Sequence, residues 1–190
     1  MRRLTKQILL GIAGGALLAG CSSDATDVEQ SGSADPDAQG APLVVAMELA
    51  YPPFETKDTA GVPAGVSEDF MQDFADAYGY DLVIENTAFD GLIPMLQTGK
   101  ADAVMSSMTI TEDRQQSVDF SEPYARAQLA ILANAESGVE SIEDLNQPGR
   151  VVAVKSGSTG DVYATKNLTE ATIVRLADES ACVTEVIQGK

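Results

Sequence analysis

The stretch SSMTITEDRQQ, Ser106 to Gln116, sets one arginine behind a run of hydroxyl residues. Ser106, Ser107, Thr109 and Thr111 precede Arg114, and Thr111 with Glu112 and Asp113 reads as a helix N-terminus. Hydroxyls and free backbone N–H groups favour an anion there. The planar guanidinium of Arg114 matches a carboxylate with two parallel charge-assisted bonds. A surface pair of Arg114 with Glu112 or Asp119, worth little, accounts for the same residues equally well.

Three other loops carry groups of the right kind. ELAYPPFE, residues 48–55, offers the Glu48 carboxylate with Tyr51 and Phe54, held on an extended path by two prolines. A carboxylate and aromatic walls suit a ligand with a cationic amine, although Phe54 reads first as core. Phe89 precedes Asp90, and Asp90 reads as the N-cap of the next helix; Phe89 serves as wall or core. KSGSTGD, residues 155–161, pairs Ser158 with Asp161 in a capping-box variant, so Thr159 begins a second helix N-terminus open to an anion. It is not a phosphate loop, because the G-x-x-x-x-G-K-[ST] spacing is missing.

The elements that must position these loops alternate strand and helix. LVVAM (43–47), DLVIE (81–85), ADAVMS (101–106), VVAV (151–154) and TIVRL (172–176) read as strands, with VDF and QLAILAN (128–134) as further candidates. Helices are expected at 67–79, with Phe70, Met71, Phe74 and Ala77 or Tyr78 on one face, at 91–99, from Thr159, and at 179–188. This is an α/β pattern with a mostly parallel sheet. Ligands of such sheets sit where strands end and helices begin, which marks the four loops above.

The first twenty residues stand apart. MRRLTKQ is basic, ILLGIAGGALLAG is apolar and too short to span a bilayer, and Cys21 follows: the parts of a signal peptide. The junction LAGC resembles a lipobox, which implies a lipidated Cys21 at the mature N-terminus and a membrane held through lipid. Residues 21–41 are small, polar and acidic, a disordered tether. Two folded parts are expected beyond it, a first lobe over 42–132 and a partial second lobe over 133–190.

Composition excludes several functions. The chain has no histidine, so His-based metal sites, Ser-His-Asp triads and Cys-His pairs are impossible. The formal charge is −17; removing residues 1–20, with Arg2, Arg3, Lys6 and no acid, makes it −20. Such a surface repels nucleic acid and anionic lipid. No metal or cofactor is expected. Cys182 is left without a partner and reads as a small buried hydrophobe beside Val183, Val186 and Ile187.

YPPFE, then FDGLIPMLQTGKADAVMSSMTITEDRQQSVDFSEPY, then V-x-x-GSTGD, resemble the polar amino-acid-binding proteins of bacterial ABC importers, extracellular solute-binding proteins of the family 3 type. The resemblance runs from about Pro42 to Lys190. It implies a periplasmic-binding-protein-like fold, two lobes hinged around a free amino acid, and a non-enzymatic, extracytoplasmic, monomeric receptor that meets an importer permease. By that resemblance Arg114 binds the α-carboxylate, Thr109 and Ser107 hold carboxylate and amine with Ser106 beside them, and Tyr51 and Phe89 sandwich the side chain. Thr159 meets the carboxylate from the second lobe. Glu48 stands where relatives often carry aspartate, and Gly160 where some carry a longer polar residue. The resemblance also implies a strand, an amine-binding aspartate and a return segment after VIQGK, so the chain reads as a fragment with its second lobe incomplete. A periplasmic dehydratase or a sensor module on the same fold are the competing functions.

Overall fold

The structure, a computed structural model, describes residues 40–190. The expected signal peptide, Cys21 and all but the end of the tether lie outside the described residues. In chain order the elements are β1 (Ala41–Met47), β2 (Thr56–Lys57), β3 (Pro63–Ala64), α1 (Val66–Tyr78), β4 (Tyr80–Asn86), a 3-10 turn (Phe89–Gly91), α2 (Leu92–Gln97), β5 (Ala103–Val104), α3 (Glu112–Gln115), β6 (Val151–Lys155), α4 (Thr159–Asn167), β7 (Thr172–Leu176) and α5 (Glu179–Ile187).

The first sheet has the order β4-β1-β5, all parallel. β1 is its central strand, which is why its C-terminal half is an unbroken apolar run: Val45, Ala46 and Met47 are fully buried by layers on both faces. Met47 and Val45 pack with Leu49, Met71 and Met105 on one side; Ala46 packs with Phe89, Leu92 and Ala101 on the other. Each such buried side chain contributes about 1.5–3 kcal/mol relative to exposure. The second sheet pairs β6 with β7 in parallel, and Val154, Ala164 and Leu168 form its core with Ile142 and Leu145 alongside. Because β1, β4 and β5 run the same way, the loops after them collect at one edge, as the parallel pattern requires.

Several elements differ from expectation. β1 begins at Ala41, which pairs with Tyr80, so the tether ends sooner than residue 41. The strand expected over 101–106 is a ladder only at Ala103 and Val104. The Asp102 carboxylate instead accepts from Val44 N–H at 2.9 Å, replacing a backbone partner. VDF and QLAILAN are not strands; among the described residues no strand pairs with them, and Leu129, Ile131 and Leu132 are exposed. The helix expected over 91–99 is the 3-10 turn followed by α2, with Pro94 in the first turn, where its missing N–H costs nothing. Of the face expected on α1 only Met71 is buried, together with Ser67 and Ala75, while Phe70, Phe74 and Tyr78 form an exposed stripe. On α5 no residue is buried: Cys182, expected to be a small buried hydrophobe, is only half-buried, and Val183 and Ile187 face outward. Burial pushes the Cys182 thiol pKa up, which keeps it protonated.

Candidate functional site

Arg114 sits on α3, a single short turn. Thr111 caps it as the sequence suggests, its Oγ1 accepting from Arg114 N–H at 3.3 Å. The guanidinium reaches back from this turn to Thr109 and across to Gly157. Nη1 donates to the carbonyl of Thr109 at 2.7 Å, and Nη2 donates to the carbonyl of Gly157 at 3.0 Å. The guanidinium carbon lies 5.6 Å from the Phe89 ring centroid. Neither Glu112 nor Asp119 pairs with it, and among the described residues Arg114 has no carboxylate partner. Half-burial lowers its pKa, though a guanidinium starts high enough to stay cationic. The geometry therefore removes the surface-pair explanation and leaves a cation with unsatisfied demand for an anion.

Glu48 follows β1 and is anchored by Ser106, whose Oγ accepts from Glu48 N–H at 3.0 Å. Its carboxylate meets Lys155, Nζ to Oε2 2.7 Å, with both side chains 6% exposed. Lys155 is a residue that sequence reasoning missed. It ends β6, whose alternation gave no sign that a lysine there would turn inward. Its ammonium also pairs with Glu179 at 2.7 Å, and lies 4.2 Å from the Phe89 centroid and 5.2 Å from that of Tyr51. The two aromatic walls thus flank a cation belonging to the chain itself. Burial pushes the Glu48 carboxyl pKa up, and the bond from Lys155 pulls it back. Glu179 leaves its Oε2 buried without a partner among the described residues.

The loop carrying Tyr51 is a tight turn rather than an extended path. Tyr51 N–H donates to the Glu55 carbonyl at 2.8 Å, and the N–H groups of Phe54 and Glu55 return to the Tyr51 carbonyl at 3.0 Å. Phe54 stacks on Tyr51 with centroids 6.1 Å apart. Phe89 is core and wall at once, buried against Leu92 yet facing both cations.

Asp90 is not an N-cap. Its Oδ2 accepts from Ser156 Oγ at 2.9 Å, which ties the first sheet's edge to the loop after β6. In that loop Ser158 caps α4, its Oγ accepting from Asp161 N–H at 3.1 Å, while Asp161 Oδ2 accepts from Gly157 N–H at 3.1 Å. The capping-box variant is present, reaching one residue further back than the standard form. Thr159 opens α4, and first-turn N–H groups such as those of Thr159 and Gly160 have no helical acceptor. Gly157, at φ 71°, approaches Asp90 so closely that a Cβ would lie 3.1 Å from Asp90 Cβ.

Ser107 takes φ 49°, and its hydroxyl donates to the Glu55 carboxylate at 2.9 and 3.0 Å. Thr109 is exposed beside Arg114. The structure therefore gathers Glu48, Tyr51, Phe89 and Arg114 around residues 155–157, with Ser107 and Thr109 on the adjoining turn. A cleft of about 110 Å³ remains among Phe89, Asp90, Ile93, Met108, Arg114 and Gly157. A second cleft of about 190 Å³ is lined by none of them, lying against Val62, Gln72 and Ile84 with Glu68 as its one charged group. No cluster of metal-binding side chains exists among the described residues, and none of their helices is long and apolar enough to cross a membrane.

Residues 43–182 match Bacterial extracellular solute-binding proteins, family 3. A protein of Neisseria gonorrhoeae named "Probable histidine-binding protein" is 38% identical over 124 residues, 65% of this chain and 46% of its own. An L-arginine-binding protein of Pseudomonas aeruginosa is 33% identical over 152 residues, 78% of this chain and 58% of its own. Among solved structures, the ancestral amino acid-binding protein AncCDT-1, a precursor of cyclohexadienyl dehydratase, superposes with TM-score 0.74 at 38% identity, covering 78% of this chain and 66% of that one. The chain spans about half the length of these curated relatives. The two parallel sheets joined at residues 155–157 are thus part of a periplasmic-binding-protein-like fold, and the chain belongs to the family 3 bacterial extracellular solute-binding proteins.

Proposed function

We propose that this protein is a lipid-anchored extracytoplasmic receptor that binds a free polar amino acid and delivers it to an ABC importer permease. The observation that carries the reading is Arg114: a half-buried guanidinium without a carboxylate partner among the described residues, bonded to carbonyls on both sides of the cleft. A bidentate carboxylate would complete it. Thr109 and the α4 N-terminus at Thr159 would add donors to the same carboxylate, and Tyr51 and Phe89 would face the side chain. The names of the arginine- and histidine-binding relatives support an amino acid as the ligand class. The remaining cleft is smaller than the roughly 300 Å³ at which ligand pockets begin, so binding would require the two sheets to part and close again.

Lys155 narrows the ligand. A side chain entering beside Tyr51 and Phe89 meets an ammonium already paired with Glu48 and Glu179. An uncharged polar side chain can donate to the carboxylates and accept from the ammonium; a cationic one meets a like charge.

Titration calorimetry with the twenty amino acids tests the receptor reading. Binding of at least one, lost in Arg114→Ala, is expected; no binding, or undiminished binding by Arg114→Ala, overturns it. Incorporation of labelled palmitate that disappears in Cys21→Ser checks the anchor at Cys21. A dehydratase is the competing reading, because Glu48 places a carboxyl beside the cleft aromatics and burial raises its pKa. Lys155, which favours the ionised form, argues against it, and a turnover assay with small hydroxy-carboxylates separates the two.

A further inference from the structure

Three consecutive residues of the loop after β6 each bond a different loop of the first sheet. Lys155 pairs with Glu48, which follows β1. Ser156 donates its hydroxyl proton to Asp90 Oδ2 at 2.9 Å, in the turn after β4. The Gly157 carbonyl accepts from Arg114, which follows β5. One short loop is thus tied to the loops of all three strands of the first sheet.

The three bonds differ in what a ligand does to them. Lys155 and Arg114 are the cations that the receptor reading sets against the ligand, so their bonds share donors with it. Asp90 lines the cleft, but its Oδ2 is engaged by Ser156, and neither residue is given a part in holding the ligand. Of the three bonds, theirs alone gives nothing up when an amino acid enters.

Both ends of that bond are fixed in their own sheets. Ser156 N–H donates to the Leu176 carbonyl at 2.9 Å, which fastens it to the end of β7. Asp90 lies in the 3-10 turn that Gly91 N–H closes on the Ala88 carbonyl at 2.9 Å. A hydrogen bond between two such points has little slack. It is lost once donor and acceptor part beyond about 3.5 Å. Gly157 makes the approach possible. An added Cβ there would lie 3.1 Å from Asp90 Cβ and 3.3 Å from Asp90 Cα. At φ 71° the position also suits glycine for its backbone alone.

We infer that Asp90 and Ser156, seated on Gly157, form a clasp that closes the cleft independently of the ligand and sets the fraction of protein already shaped to bind. Its effect on affinity rests on the receptor reading above, and it separates closure from recognition. A ligand held only by the closed form has its affinity scaled by the closed fraction. Loosening the clasp therefore weakens every ligand by one common factor and leaves the ratios among ligands unchanged. A residue that touches the ligand changes those ratios instead.

The test compares Asp90→Ala, Asp90→Asn, Ser156→Ala and the double variant Asp90→Ala with Ser156→Ala. Calorimetry reads the affinity for the three amino acids that the unmodified protein binds most tightly. Small-angle X-ray scattering reads the radius of gyration with and without the first of them. The bond is exposed to water, which keeps the expected loss modest. Asp90→Ala is expected to lose about two- to tenfold in affinity, equally for all three amino acids. Ser156→Ala is expected to match it, and the double variant to be no worse than either, because each removes the same bond. Asp90→Asn keeps an oxygen that accepts from Ser156 and is expected to recover most of the loss. The ligand-free radius is expected to rise in Asp90→Ala and not in Asp90→Asn, with the liganded radius unchanged. Unequal losses among the three amino acids, or a loss in Asp90→Asn as large as in Asp90→Ala, overturn the inference, because Asp90 then meets the ligand through its charge. A ligand-free radius unmoved in Asp90→Ala overturns it as well. Either result leaves the receptor reading standing. If the unmodified protein binds no amino acid, the receptor reading fails and the radius comparison alone decides the clasp.

Discussion

The ammonium of Lys155 stands 2.7 Å from the Glu48 carboxylate, with both side chains 6% exposed, and 4.2 Å from the centre of the Phe89 ring. Removing one partner of a buried pair strands the other, at a cost of about 3–5 kcal/mol. Lys155→Met is therefore expected to destabilise strongly, whereas the double variant Glu48→Gln with Lys155→Met recovers most of the loss. Replacing Lys155 by an uncharged residue also clears a cation from beside the Phe89 and Tyr51 rings. Affinity for arginine relative to glutamine is expected to rise about tenfold or more in Lys155→Gln. Urea denaturation measures the first effect and calorimetry the second; an unchanged ligand ratio would remove Lys155 from the side-chain site.

Asp161 has a different role, holding the loop rather than the ligand. Burial opposes its ionisation, but bonds from Gly157 N–H, Arg175 and Thr165 outweigh that and hold its carboxyl below the ordinary range. A depressed acid stabilises the fold above its unfolded pKa, about 3.9 for aspartate, and the benefit is lost as pH falls through the folded value. Arg175 is 47% exposed, so its pair alone is worth about 1 kcal/mol or less. Asp161→Asn is expected to lower the urea midpoint at pH 7 and to flatten its fall below about pH 4. An acid limb as steep as that of the unmodified protein would contradict the assignment.

Two glycines separate conformational strain from lack of space. Gly61 and Gly65 both have positive φ, 83° and 115°, but a Cβ on Gly61 meets nothing within 4 Å. On Gly65 it would lie 2.5 Å from the Phe54 carbonyl oxygen and 2.8 Å from that of Pro53. Gly61→Ala is expected to cost about 1 kcal/mol, from backbone strain alone. Gly65→Ala must also displace the turn that carries Tyr51 and Glu55, and is expected to cost several times as much and to weaken ligand binding. Equal melting temperatures for the two variants would refute this account.

Local rules carried the sequence reading furthest. The alternation of strands and helices, the caps at Thr111 and Ser158, and the gathering of loops at the carboxyl edge of β1 all follow from short-range patterns, and the structure has them. Long-range partners were not legible. Lys155 and Glu48 are 107 residues apart, and Ser107 and Glu55 52 apart, so neither pair leaves a spacing signal. YPPFE showed its aromatics, but its last residue, Glu55, gave no sign of total burial. On α1, Phe70, Phe74 and Tyr78 recur at the spacing of a buried face, and period alone cannot say which side of a helix meets the sheet. Met71 lies against it as expected, but flanked by the small residues Ser67 and Ala75 rather than by the aromatics.

Arg114 separates charge from shape. Its two arms reach carbonyls of Thr109 and Gly157 simultaneously, and a ligand carboxylate would use the fork's remaining N–H groups. A lysine keeps the positive charge but is a point donor on a flexible stem and cannot span both carbonyls while holding a carboxylate. Arg114→Lys is therefore expected to retain the fold, to within about 1 kcal/mol, because α3 is a surface turn and its Thr111 cap uses the backbone N–H of residue 114. Affinity for the amino acid is expected to fall about a hundredfold, equivalent to the roughly 3 kcal/mol upper range of a hydrogen bond to a charged group. Calorimetry and thermal melts on the same preparation read the two quantities. A lysine variant that binds as tightly as the arginine would mean that long-range attraction alone holds the carboxylate; that binding would then weaken with added salt, which a buried bidentate pair resists.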